Sequence, residues 1–285
     1  MPPLFKEIRS AVTWFKRSPN LFFRKLRADV RRKLSSPPRP SGAINLGDVV
    51  FPYEMAVDPV CMNLIYFGDY DLEVAMLLER FLRPGMTFLD VGANVGYFSA
   101  LALSLVGTNG HVHSFEPVPS IFAHLEKVAR ANPQHDLVCN MCGLGENDDV
   151  SIISVAGSIN AGWNTMVPGF MSGDLAVETV PARVQRLDEY LFGRGINSVD
   201  LIKIGVEGFE LPVLRGSQGL FEKMPNKPPI ICEVQPGAYS KLGCSLRDLR
   251  GFLTRYGYHC YDPVSLYPLD VTTLSGATDV LFVSS

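Results

Sequence analysis

Apolar and polar residues change rhythm along this chain at regular intervals. Near-continuous apolar runs at 86–91, 110–116, 136–141, 199–205 and 228–234 predict strands buried on both faces, and further runs near 150–155, 177–184, 257–261 and 278–283 predict more. Between them, apolar positions recur every three or four residues at 71–82, 95–106, 119–131, 207–222 and 245–256, which predicts helices. Strand–helix–strand alternation of this kind predicts an α/β fold with a doubly wound, mostly parallel sheet covered on both faces. Residues 43–67 read as short strands with turns at Gly47-Asp48 and Asp58-Pro59.

The start of the chain follows a different pattern. Residues 4–34 read as two short basic amphipathic helices broken at "RSPN", where Ser18 can cap and Pro19 can start the second. Phe22, Leu26, Val30 and Leu34 fall four apart on one face, with Arg24, Lys25, Arg27, Arg31 and Arg32 elsewhere. "SSPPRPSG" at 35–42 reads as a linker. Residues 1–42 are therefore expected to be an extension and 43–285 one domain, with N-terminal strands in 43–69 and the core from 70 onward.

Composition sharpens part of this picture. The 285 residues are 47% hydrophobic and 19% charged, ordinary for a globular chain. The net charge of −3 hides an asymmetry, since residues 1–40 hold eleven Lys/Arg and two acids, about +9, leaving about −12 elsewhere. Three readings of the basic segment stay open: contact with an anionic membrane surface, docking on the domain or a loose tail, and a cleaved transit peptide. No apolar run reaches the roughly 18–20 residues that span a bilayer. With no secretory signal either, the expectation is a cytoplasmic protein, peripheral at a membrane if the basic segment binds one. Six cysteines, three of them in apolar, strand-like contexts, read as reduced and buried, and the Cys139–Cys142 pair lacks the second pair that a zinc site needs.

The candidate chemistry begins at "FLDVGANVGYFSALAL", residues 88–103. Gly92 and Gly96 permit a tight turn at a strand's carboxyl end, where doubly wound sheets bind ligands, and the following helix offers free N–H groups. Glu116, in "HSFEP" after the next strand, stands twenty residues beyond Gly96 and can accept both hydroxyls of a ribose. A nicotinamide cofactor and S-adenosylmethionine both fit that description, as does a turn whose glycines serve packing alone. The dinucleotide fingerprint needs a third glycine, and here Asn94 stands within the turn. Asp90, on the strand, is well placed to hold a cationic amine, so the residues favour adenosylmethionine.

Several separated segments then resemble one family in the right order. "FLDVGANVGYFSALALSLVG…GHVHSFEPVPSIFAHLEKVARAN", "VQRLDEYL…DLIKIGVEGFELPVLRGSQGLF…PPIICEV" and "SLRDLRGFLTRYGYHCYDP" are similar to the FkbM-type methyltransferases, over roughly residues 70–283. The resemblance implies a seven-stranded class I methyltransferase sheet and methyl transfer from S-adenosylmethionine, usually to an oxygen of a sugar or other small metabolite. It implies a cofactor site of Asp90, Gly92, Asn94, Gly96, Tyr97, Glu116 and Pro117, with the adenine beside Cys142 and Gly143. The partner expected is a small-molecule acceptor, with no nucleic acid.

In the second signature, Lys203 lies within an apolar strand and needs a charged partner, which Glu207 and Glu233 can supply. These three are the candidate catalytic residues, with a structural ion pair as the alternative reading. The family usually reads Lys-Ile-Asp-Val-Glu-Gly here, whereas this chain has Gly205 in place of the aspartate. Related O-methyltransferases can bind a divalent metal through that carboxylate, so no metal ligand is assigned and metal dependence is in doubt. The departure also opens the reading of an adenosylmethionine-binding scaffold without turnover. The long loop 157–175 places Trp163 and Asn164 as acceptor-side candidates.

Overall fold

The computed structural model describes residues 18–157, 162–171 and 175–285. Its central sheet has seven strands: β3 (Thr87–Val91), β4 (His111–Phe115), β5 (Asp136–Asn140), β9 (Leu201–Ile204), β10 (Ile230–Val234), β11 (Tyr258–Tyr261) and β12 (Thr278–Ser284). Their order across the sheet is β11-β12-β10-β9-β3-β4-β5, and β12 alone runs antiparallel to its neighbours. The chain leaves β3 toward β4 and β5, then crosses back to β9 and β10 on the other side. The switch point therefore lies between β3 and β9, where open α/β sheets form their ligand crevice.

Alternation along the strands gives the sheet two cores. Phe88 belongs to one, with α4 (Tyr97–Val106) and α5 (Pro119–Ala131). Leu89 and Val91 belong to the other, with α6 (Leu187–Gly193), α7 (Glu210–Arg215), α8 (Gln218–Lys223) and α10 (Leu246–Arg255). A separate three-stranded sheet, ordered β6-β8-β7, joins β6 (Gly143–Leu144), β7 (Asp149–Ala156) and β8 (Ala176–Gln185).

Two expected elements differ. Residues 59–67 form a helix, α2 (Pro59–Phe67), where strands were expected. The Asp58 carboxylate accepts from the Cys61 amide at 2.9 Å, Pro59 opens the helix, and Gly68 closes it in the left-handed region at φ 77°. The run "PVCMNLIYF" is apolar on nearly every side, so it carries no clear period of either kind. The second difference is the predicted helix 207–222, which is two short helices, α7 and α8. Glu207 and Gly208 have φ of 49° and 99°, so no helix can begin there. Gly216 separates the two, and any side chain on it would meet the Gly145 carbonyl oxygen at 1.8 Å.

The N-terminal part also clips onto the domain. The hairpin of β1 (Ser41–Leu46) and β2 (Val49–Glu54) is held by Asn132, just past α5. Its Oδ1 accepts from the Val50 amide and its Nδ2 donates to the Val50 carbonyl, both at 2.7 Å. The helix α1 (Pro19–Leu34), capped by Ser18, packs on α2 and α3 (Leu72–Phe81). The other expected helix, within residues 4–17, lies outside the described residues.

Asn132→Ala strands both backbone polar groups of half-buried Val50, at a cost of about 1–2 kcal/mol. Urea denaturation should show that loss as a lower midpoint with little change in slope.

Candidate active site

Gly92 ends the first crossing of the switch point, and its geometry sets the site. At φ 76° it turns the chain so sharply that a Cβ on it would lie 1.9 Å from the Gly205 carbonyl oxygen. The ends of β3 and β9 can approach this closely only with glycine at 92. Above them opens a cavity of about 460 Å³, within the range of small-ligand sites.

One wall belongs to the turn. Asn94, held at φ 51°, donates its amide to Glu116 Oε2 at 3.0 Å, and the Val118 amide donates to Oε1 at 2.9 Å. Those two bonds fix the Glu116 carboxylate just past the end of β4. Burial still pushes its pKa up to about 7, overcoming the amide donors that favour the anion. The Asn94 Oδ1 is buried in this wall, with no hydrogen-bond partner among the described residues. Pro117, Cys142 and Gly143 line the same end. The Cys142 thiol accepts from Gln185 at 3.0 Å and burial raises its pKa to about 11, as it does for Cys139, so neither is a ready thiolate. All six cysteines are free thiols.

The opposite wall is charged. Lys203 pairs across the strands with Asp90, and Glu233 with Asp279. The Lys203 Nζ donates to the Gly92 carbonyl at 3.1 Å and stands 3.8 Å from Asp90 Oδ1. Glu207, Glu233 and Asp71 line the cavity around it. Burial, then the field of Glu233, raise Glu207 to about 8 and Asp71 to about 6. Glu207 is held in its left-handed conformation through its carbonyl, which accepts from Thr165 Oγ1 at 2.7 Å. Thr165 in turn bridges Ser154 of β7, which ties the described part of loop 157–175 to the Glu207 turn. From that loop Trp163 and Asn164 line the cavity, and the Asn164 Oδ1 accepts from the Ala156 amide at 2.8 Å.

Eleven of the fourteen residues singled out from the sequence line this one cavity. Three do not. Asp90 was expected to reach a cationic amine, but its side chain is fully buried beneath the turn, bonded to Ser99 Oγ at 2.7 Å and facing Lys203. Gly96 faces away, where a Cβ would press on Leu125 at 2.9 Å. Tyr97 was expected to orient the ligand, yet its ring packs edge-on against Phe51 and Tyr70, with centroids 5.7 and 5.5 Å apart. The sequence reading missed Cys61, Tyr70 and Asp71. Asp71 does carry a signal: it sits at the N-cap of α3 but its side chain caps nothing and turns to the cavity.

Gly205 itself is explained by its neighbour. A Cβ there would lie 2.6 Å from Lys203 Nζ and 3.8 Å from Glu233 Oε2. The ammonium occupies the space where the family's aspartate would begin. Among the described residues no group of three or more His, Cys, Asp or Glu is arranged to hold a metal ion.

Asp71, Glu116, Glu207 and Glu210 all titrate above their ordinary values, at about 6, 7, 8 and 7. Each therefore contributes stability that is full below about pH 4 and is lost as pH rises through 6–8. The ligand-free chain should show a melting temperature that falls from pH 5.5 to 8, and Glu207→Gln should flatten the upper part of that fall.

Comparison with known proteins follows this geometry. The methyltransferase FkbM domain model matches residues 90–260. The 31-O-demethyl-FK506 methyltransferase FkbM of Streptomyces tacrolimicus is 30% identical over 163 residues, covering 47% of this chain and 60% of that protein. A protein-L-isoaspartate O-methyltransferase of Methanothrix thermoacetophila is 33% identical over 123 residues, 37% of this chain and 59% of that one. The chain thus spans about 60% of the length of these two relatives. The crystal structure of methyltransferase FkbM from Methylobacillus flagellatus aligns over 73% of this chain and 50% of that one, at 19% identity and a TM-score of 0.43. The family match runs over more than half of the chain and takes in the glycine turn, Glu116, Lys203 and Glu233, so this chain belongs to the FkbM family of S-adenosylmethionine-dependent methyltransferases.

Proposed function

We propose that this chain methylates a hydroxyl of a small molecule, such as a sugar, using S-adenosylmethionine. The cofactor's needs match groups left open in the cavity. The orphaned Asn94 Oδ1 is an acceptor suited to its amino group, and the fixed Glu116 carboxylate to its ribose hydroxyls. Gly92 gives its methionine end room beside the turn, and Cys142 and Gly143 border the adenine end. When bound, the cofactor supplies a methyl group on a positively charged sulfur.

The observation that carries the O-methylation reading is Glu207, a cavity carboxylate raised to about 8 and held in a strained turn. A base works best with a pKa near the working pH, where it is both available and strong enough to take a hydroxyl proton. Glu233 lies beside it and raises its proton affinity. Lys203 can steady the negative charge that grows on the acceptor oxygen, and its ammonium does so without a divalent ion. Trp163 and Asn164 are the acceptor-side contacts, on a loop tied to the Glu207 turn.

Mass spectrometry of a panel of hydroxylated acceptors incubated with isotopically labelled adenosylmethionine tests the activity. Glu207→Gln should lower kcat by about 10²- to 10⁴-fold while adenosylhomocysteine affinity stays within a few-fold. Cofactor binding with no turnover on any acceptor would instead favour the scaffold reading. Glu116→Gln should weaken adenosylhomocysteine binding, and should remove the loss of affinity that wild type shows as pH falls below about 7 and the carboxylate protonates. Unchanged affinity and an unchanged pH profile in calorimetry would reject that assignment. Gly205→Asp should pair the new carboxylate with Lys203 and lower turnover, with no rescue by Mg²⁺. A gain of Mg²⁺-dependent activity would show that the ammonium does not serve in place of a metal.

A further inference from the structure

Helix α1 has two apolar faces, and the domain uses only one. Leu21 and Ala28 are buried against α2 and α3. Ion pairs fasten the same side: Arg24 to Glu79, and both Lys25 and Arg32 to Asp69 at 3.2 and 2.9 Å. The far side carries Leu26, Val30 and Leu34, which are 45%, 45% and 83% exposed. Spaced by four residues each, they make one continuous stripe along the helix. Exposed basic residues border it, Arg27 and Arg31 on one flank and Lys33 on the other. The helix as a whole holds six Lys/Arg against one aspartate, in a chain whose residues beyond 40 are net acidic.

We propose that the outer face of α1 docks on an anionic membrane surface. A stripe of large apolar side chains flanked by basic ones suits the boundary between acyl chains and acidic headgroups, where the apolar residues enter and the cations stay at the phosphates. Charge chooses this occupant over a second copy of the chain, since two basic helices facing each other would repel. Contact is peripheral, as no described helix is long and apolar enough to cross a membrane. The ion pairs matter because they leave the stripe displayed on a fixed helix, so the cost of ordering it on binding is already met. On its inner side α1 packs on α2, whose half-exposed Val60 lines the cavity.

Co-sedimentation of the full chain with vesicles of phosphatidylcholine, with or without roughly one-third phosphatidylserine, tests this. Binding is expected only to the anionic vesicles. It should weaken at least about tenfold in Leu26→Ser/Val30→Ser/Leu34→Ser and in Arg27→Glu/Arg31→Glu/Lys33→Glu. Each variant should stay folded in circular dichroism, because the ion pairs of Arg24, Lys25 and Arg32 that hold α1 on the domain are kept. Absence of wild-type binding to anionic vesicles, or binding that both variants retain, would overturn the proposal. So would a dimer in sedimentation velocity that the serine variant dissolves, with no vesicle binding.

Discussion

The backbones of β3 and β9 meet at a point where one of them can carry no side chain. Gly92 accepts that condition, and most of the site follows from it. The Gly92 carbonyl comes within reach of Lys203, whose Nζ it accepts at 3.1 Å, and the strand pairing sets Asp90 opposite the same lysine. The ammonium is thereby pinned above the seam between the two halves of the sheet. Asp90, fully buried, needs it there, because an isolated carboxylate in that place would otherwise favour its neutral form. A turn that began as room for a ligand is thus also the joint that fixes the Lys203 ammonium in the site.

Around that cation the chain gathers more carboxylates than it can balance. Glu233 and Asp279 face each other on adjacent strands, an arrangement that opposes folding, and Asp279 is driven well above its ordinary pKa by burial and by Asp71. Glu207 adds backbone strain. A structure concerned with stability alone would have placed neutral side chains here. The concentration of unfavourable terms in one cavity marks where folding gives way to chemistry. A cationic ligand relieves that imbalance on binding, which suits a cofactor carrying an ammonium and a sulfonium.

Much of this was legible in the chain, and the exceptions have physical causes. The strand–helix alternation, the glycine turn and Glu116 are local patterns, and each fell where the spacing placed it. Asp90 was expected to face a ligand's amine and instead lies buried against side chains of the protein. Its neighbours are Ser99, from the helix after the turn, and Lys203, more than a hundred residues further on, and no local pattern reports the second. Tyr97 failed similarly, because Phe51 and Tyr70 come from the N-terminal elements that pack over α4. Residues 59–67 lacked a period to read. Their only clues were the Asp-Pro pair before and the glycine after, which a turn between strands would show equally well.

Gly92 and Gly205 are both glycines at the switch point, yet they answer to different constraints. At 92 the obstacle to a side chain is backbone, and backbone cannot move aside. At 205 the obstacle is the end of a lysine, which can swing, and the glycine has no unusual φ. The fold therefore demands glycine at 92 and merely permits it at 205. What the residue at 205 decides is the company of the ammonium. An aspartate there would take Lys203 as its own partner and draw its charge away from the turn. Glycine leaves the ammonium with Asp90 and the Gly92 carbonyl, at 3.8 and 3.1 Å. Glu207 feels that ammonium only after burial, Glu233 and Glu210, which together raise it to about 8.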